Sequence, residues 1–262
     1  MTVLELASRF KGLSVNKQLQ NTLLHFVPRP VLHAIRHGTV DSISELRAVT
    51  TLFLKLDSYC PRKHRDPLSL QDFFHMAQKA LFAVGGFMRQ FLVDDKGCVL
   101  IAMWGVPSFA YTNNGSRAVS FALAVRAGTI ELGHTCSIGI TSGNVYCGNV
   151  GSLVRRDFVG IGATVNLAAR LMGKSKGLIY IDEETYGNIS SNFDHQLDKS
   201  EGMKLKGYKN LMYAYVCRGG EKINASTADT VQSTYVSADI SQRVMTIINK
   251  VGKFEKSMIG AR

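Results

Sequence analysis

In the stretch "FVGIGATVNLAARL", residues 158–171, two polar side chains interrupt an apolar run: Asn166 and Arg170, four residues apart. At about 100° per residue, positions i and i+4 share a helix flank, so both groups can reach into one cleft. A guanidinium offers forked donors that match phosphate oxygens. A carboxamide one turn away can hydrogen-bond a hydroxyl or ether oxygen. Together they suit a phosphate-bearing substrate. On spacing alone, a solvated flank with an incidental Asn and Arg explains the pair equally well. The same wheel turns Val165, Ala168, Ala169 and Met172 toward the core.

The elements that must position this helix are readable as alternating strands and helices. "AVTTLFLKLDSY" (48–59) is β-branched and apolar, the mark of a buried strand. In "LSLQDFFHMAQKALFAVGGF", Leu70, Phe73, Phe74, Ala77, Leu81 and Val84 fit one helical face, and Gly85-Gly86 ends it. "FMRQFLV" and "CVLIAMW" read as a hairpin around the turn "DDKG". "GSRAVSFALAVRAGTIEL" reads as a helix with Val119, Ala122, Leu123, Ala127 and Ile130 inward. "HTCSIGI" and "NVYCGNV" read as a second hairpin around "TSG". After the short strand "DFVGI" come the helix 163–172, the strand "GLIYID" and a last pair near "MKLKG" and "LMYAYVC". Hairpins interrupting an alternating pattern predict a mixed sheet with helices on one face, an α+β sandwich.

Composition narrows the function classes. A net charge of +11 suits nucleic acid, acidic lipid or a phosphorylated small molecule. No long Lys/Arg block occurs, so a nucleic-acid tail is not expected. No apolar run reaches the roughly 18 residues of a membrane span, and the N-terminus lacks a signal-peptide core and cleavage site. Five scattered cysteines without CxxC spacing read as reduced thiols of a cytoplasmic protein. His33 and His37 are four apart, but no third ligand stands near them in the sequence. The glycines of "GNVYCGNVGS" do not form a P-loop; Gly148 and Gly151 read as sites of tight turns or close backbone approach. Residues 1–43 are expected to form an N-terminal helical segment, 44–218 one domain, and 219–262, polar at its start, a linker or tail.

The segment "SIGITSGNVYCGNVGSLVRRDFVGIGATVNLAARLM" (137–172) resembles the signature of class III nucleotidyl cyclases. "ELRAVTTLFLKL" (45–56) resembles that family's first strand, "QFLVDDKGCVLIAMWGVP" (90–107) its hairpin, and "KLKGYKNLMYAYVC" (204–217) its closing strands. The likeness spans about residues 44–218 and is strongest to the second cyclase half of tandem, bicarbonate-sensitive soluble adenylyl cyclases. The resemblance implies a ferredoxin-like mixed sheet with helices packed on one face. It also implies a dimer of halves with the active site between them. One half holds two Mg²⁺ or Mn²⁺ ions on a pair of aspartates, and the other supplies an Asn and an Arg to the transition state. Those two roles fall on Asn166 and Arg170. The reaction implied is attack of the ribose 3′-oxygen of ATP on the α-phosphorus, giving cyclic AMP and pyrophosphate.

The chain departs from the family at the metal positions. The first metal aspartate aligns with Lys55, whose ammonium would repel a cation. Asp57 lies two residues on, roughly 7 Å along a strand, too far for a simple substitute. Asp94 and Asp95 sit in what reads as a solvated turn. No metal ligand is therefore assigned. Val159, where many adenylyl cyclases carry Asp or Thr, cannot bond adenine through its side chain, leaving the backbone of Val159 and Gly160. Lys206 is a candidate for the substrate phosphates, with a plain surface lysine as the alternative. The expectation is a cyclase half inactive alone, active with a partner cyclase domain, with ATP as substrate. Bicarbonate, implied by the resemblance, is a candidate regulator. The alternative is a catalytically silent module that holds a partner or senses an anion or nucleotide. The ending "SMIGAR" resembles the start of the ATPase region that follows the second half in that group, so the chain is expected to be part of something longer.

Overall fold

A computed structural model describes residues 17–60, 67–94, 97–152, 156–189 and 197–217. The expected tail over 219–262 lies outside the described residues. Two short helices open the described chain, α1 (Lys17–Leu24) and α2 (Arg29–Arg36). Pro28 caps α2 and Pro30 sits in its first turn, where a missing N–H is no loss. Ala34 of α2 is buried in a cluster with Ile43, Val49, Phe87, Met103 and Phe158. Part of the N-terminal helical segment is thus packed onto the rest of the fold.

Eight strands form one sheet in the order β2 (Phe87–Asp94), β3 (Gly97–Trp104), β1 (Glu45–Leu56), β4 (Cys136–Gly151), β6 (Ile179–Ile181), β8 (Tyr215–Cys217), β7 (Leu197–Lys199), and β5 (Arg156–Ile161) pairs with β4 off that path. β4 runs parallel to β6 and antiparallel to β1 and β5, so the sheet is mixed, as expected. Leu52, Leu54 and Leu56 alternate onto one face, where they meet Phe73, Ala77 and Leu81 of α3 (Pro67–Ala83) and Val119, Phe121 and Ala122 of α4 (Asn114–Glu131). Gly86 donates to Leu81 and Gly85 to Phe82, closing α3 in a Schellman motif with Gly85 at φ +64°. A further helix, α5 (Ala163–Ser175), lies on the opposite face of the sheet, where its Val165 packs against the cluster that buries Ala34 of α2. A last short helix, α6 (Glu183–Gly187), follows β6.

Three local readings need correction. "TSG" (141–143) is no turn: β4 is one strand of 16 residues. Thr141 and Ser142 are buried, and the Ser142 hydroxyl bonds those of Thr50 and Thr185, both at 2.9 Å. The glycine answers to helix contact, described below, and not to chain reversal. On α4, Ala127 and Ile130 face solvent, while Ala118, Val125 and Thr129 are buried with the expected Val119, Ala122 and Leu123. The buried arc is rotated there because Gly128 packs directly against Met76 of α3. "MKLKG" is not a strand: Met203 makes only an isolated bridge to Met212. The strand on the outer edge of β8 is β7, whose three residues carry no alternating pattern. Gly148 matches the close-approach reading, since a Cβ there would crowd Ser44.

Asp182 caps α6, accepting from the Thr185 N–H at 2.9 Å and the Ser142 N–H at 3.2 Å. It is 7% exposed. Burial pushes its carboxyl above the ordinary value, against the pull of those donors. A raised native pKa means the folded state holds the proton more tightly than the unfolded chain. Stability is then greatest below the ordinary carboxyl pKa and falls as pH rises toward the native one. Asp182→Asn keeps an accepting oxygen and removes that fall. Urea midpoints measured over roughly pH 3–7 should decline less steeply in the variant than in the parent. Identical slopes would show that ionising Asp182 carries no penalty.

Candidate functional site

α5 is laid on β4 across small residues. Gly139, Thr141 and Gly143 point to one face of the strand. A Cβ on Gly139 would collide with the α5 backbone at Ala168 O and Met172 N. One on Gly143 would stand 2.8 Å from Thr164 Oγ1. Thr141 Oγ1 donates to the Thr164 carbonyl at 2.8 Å. On its other side, α5 packs Leu167 and Leu171 against Leu205 and Ala214. With two walls, the buried arc is Leu167, Ala168, Leu171 and Ser175, and the expected Val165, Ala169 and Met172 are only half-buried.

That roll leaves Asn166 exposed and Arg170 half-buried, one turn apart. The Arg170 guanidinium lies 5.3 Å from the centre of the Tyr208 ring. A Cβ on Gly207 would be 3.2 Å from Arg170 Nη1. Lys206, exposed, is the residue before that glycine, so the structure brings its turn to Arg170. Val159 and Gly160 lie in β5, opposite Gly148 and Cys147, and reach α5 through Gly162. Gly160 packs on Met103, where a Cβ would come within 2.6 Å of Met103 Cε. β5 pairs only with β4 among the described strands, so its other edge is open.

Lys55 belongs to a different place. It lines a cavity of about 410 Å³ with Asp57, Thr135, Ser137, Met172, Gly173, Lys176 and Gly177. Asp57 accepts from Ser137 Oγ at 2.5 Å, and Ser137 Oγ accepts from the Gly177 N–H at 2.8 Å. Asp94 ends β2 opposite Gly97, and Asp95 lies outside the described residues. These residues do not fit a pair of divalent ions. The group at the expected metal position is an ammonium, and the nearest carboxylate is committed to a serine. Among the described residues no three His, Cys, Asp or Glu gather as a ligand set. The His33 and His37 rings lie 4.3 Å apart, tilted by 41°, exposed at the C-terminal end of α2. None of the five cysteines forms a disulfide; burial pushes the Cys98 thiol up to about 12, and Cys136 and Cys147 to about 11. Among the described residues no helix is long and apolar enough to cross a membrane.

Sequence reasoning found the helix and its polar pair, but not Gly207 and Tyr208, which touch Arg170. The one available signal was a glycine in "LKGY", which marks a turn but not what the turn faces. It also missed Lys176, which shares the Lys55 cavity from 121 residues away in the chain.

Residues 102–219 match the family described as the adenylate and guanylate cyclase catalytic domain. The fold resembles the adenylyl cyclase CyaB from P. aeruginosa, with a TM-score of 0.62 at 22% identity over 68% of this chain and 97% of that one. It likewise resembles the guanylate cyclase domain of RhGC from Catenaria anguillulae, solved with GTP, with a TM-score of 0.59 at 23% identity, over 68% of this chain and all of that one (100%). The matched segment is recognised as class III nucleotidyl cyclase catalytic domain. Among curated proteins it is similar to adenylate cyclase type 10: 29% identical to the human protein over 78% of this chain, and 30% identical to that of Oryctolagus cuniculus over 80%. The chain spans only 13% of the length of either relative.

The seat of α5 is open to test. Gly139→Ala puts a methyl group into the helix backbone, which cannot swing aside as a side chain can. Overpacking of this kind costs about 1–3 kcal/mol or more. Urea denaturation should show a loss of at least that size, whereas Gly173→Ala, with open space around it, should change stability little. Equal stability of the two variants would mean that α5 is not held as described.

Proposed function

We propose that this chain is one half of an adenylyl cyclase dimer, completing an active site whose metal carboxylates belong to the partner half. The observation that supports this is the separation within the chain. The cavity at Lys55 takes Met172 and Gly173 from the C-terminal end of α5 and Lys176 from just beyond it, and neither Asn166 nor Arg170 lines it. The polar pair therefore has no metal position of its own chain to work with, and it is turned toward solvent. ATP seated on a partner would meet Arg170 at the α-phosphoryl group, Asn166 at the ribose and Lys206 at the outer phosphates. The base would lie toward β5, where the open edge offers backbone groups of Val159 and Gly160. In the attack of the 3′-oxygen on the α-phosphorus, Arg170 offsets charge as it develops and Asn166 fixes the ribose angle. The partner's two Mg²⁺ or Mn²⁺ ions would activate the attacking oxygen. The reading of the cysteines as reduced thiols favours a cytoplasmic setting.

The alternative, a silent module that senses an anion, draws on Lys55 and Lys176 lining one cavity. A lysine at a cation position reverses the sign of the site, and partial exclusion of water strengthens an ammonium–anion contact. Bicarbonate is the anion we assign to it in either reading, as a regulator.

The purified chain alone should form no cyclic AMP. Mixed with an aspartate-bearing first half, it should support turnover, and Asn166→Ala or Arg170→Ala should each lower kcat about a hundredfold, since one preorganised donor is worth on the order of 3 kcal/mol. KM should move less. A solvated flank would cost under about 0.5 kcal/mol, so the sizes separate the readings. Near-normal kcat in both variants, or strong cyclisation by the chain alone, would reject the half-site assignment. In the same dimer, at fixed pH and ionic strength, Lys55→Met should abolish bicarbonate stimulation. Undiminished stimulation would remove Lys55 as the anchor, and no response from either dimer would end the bicarbonate assignment.

A further inference from the structure

We propose that the turn Leu205–Tyr208 is the mount that aims Arg170, and that Tyr208 is its positioning residue; this rests on the cyclase-half reading of Arg170. The Tyr208 N–H donates to the Leu205 carbonyl at 3.1 Å, closing a four-residue turn. Gly207 stands third in it at φ +83°, the value a type II turn requires there. The glycine meets a second demand, because any Cβ would press on the guanidinium at 3.2 Å. Met203 and Met212 exchange two backbone hydrogen bonds at 2.8 and 2.9 Å and clamp the base of the loop. The Tyr208 ring is packed against the Leu167, Leu171 and Leu205 cluster, so it presents a fixed face. The guanidinium carbon lies 5.3 Å from its centre.

The chemistry of the support matters. A carboxylate would hold Arg170 by occupying its N–H donors and cancelling its charge. No described carboxylate lies within ion-pair reach of Arg170. An aromatic face holds a guanidinium by its quadrupole and leaves the forked donors free for a phosphoryl group. Lys206, second in the same turn, moves with the mount.

In the mixed dimer, Tyr208→Leu should lower kcat for ATP about tenfold, within the range for a cation–π contact, with KM within about twofold. Tyr208→Phe keeps the ring and should restore kcat. In an Arg170→Ala background, Tyr208→Leu should add less than about a twofold loss, because the group it aims is gone. Equal losses in both backgrounds, or full kcat in Tyr208→Leu, overturn the proposal. If Arg170→Ala itself leaves kcat intact, the cyclase-half reading fails and the catalytic purpose of the mount fails with it. The contact is then decided separately by the Arg170 Nε–H resonance of the free chain: Tyr208→Leu must shift it through loss of the ring current, and an unmoved resonance overturns the mount as well.

Discussion

Everything at the site depends on how closely α5 can approach β4. The strand gives up side-chain volume at Gly139 and Gly143, and the helix backbone settles almost onto the strand backbone. Glycine inside a strand is ordinarily a weakness of about 0.5–1 kcal/mol. Here it is offset by the contact it permits. The same strand carries Ile138 and Ile140 into the main core on its other face. One sixteen-residue strand thus serves as the core's central rib and as the bed of α5.

The bed also fixes which groups can meet. Because α5 cannot roll, Arg170 can only turn toward the 205–208 turn, and the end of the helix can only close over Lys55. The two polar regions of one chain are held apart by the helix that joins them. This separation is what the proposed half-site reading rests on. The relatives it resembles belong to a family of catalytic domains, and the chain accounts for a small part of the long proteins that carry them.

Much of this was legible in the sequence because it was written in periodicities. The alternating leucines of β1, the face of α3 and the i, i+4 pair on α5 all stand where their spacing puts them. The failures have a common cause. "TSG" reads as a turn because glycine is usually explained by its own backbone, whereas Gly143 is there for Thr164, 21 residues later. Ala127 and Ile130 read as core because a wheel has no knowledge of Gly128 pressed on Met76. The Arg170–Tyr208 contact and the Lys55–Lys176 cavity bring together residues far apart in sequence. Periodicity carries no information about such meetings; only the sheet order does.

The pairing of β1 with β4 has a temporal side. Glu45 finds Cys147, and Leu56 finds Cys136, so the longest ladder in the sheet joins segments about a hundred residues apart at one end and eighty at the other. Non-local pairing of this sort must close a large loop before it gains anything, which slows folding. During synthesis β1 emerges with β3 as the first partner available to it, through the same Leu52, Leu54 and Leu56 backbone. Its second edge then waits, apolar and unpaired, for β4 to be made. A nascent chain in that interval exposes a strand edge of the kind that recruits other chains, so β1, which the finished sheet holds between β3 and β4, is the strand most in need of protection while the domain is being built.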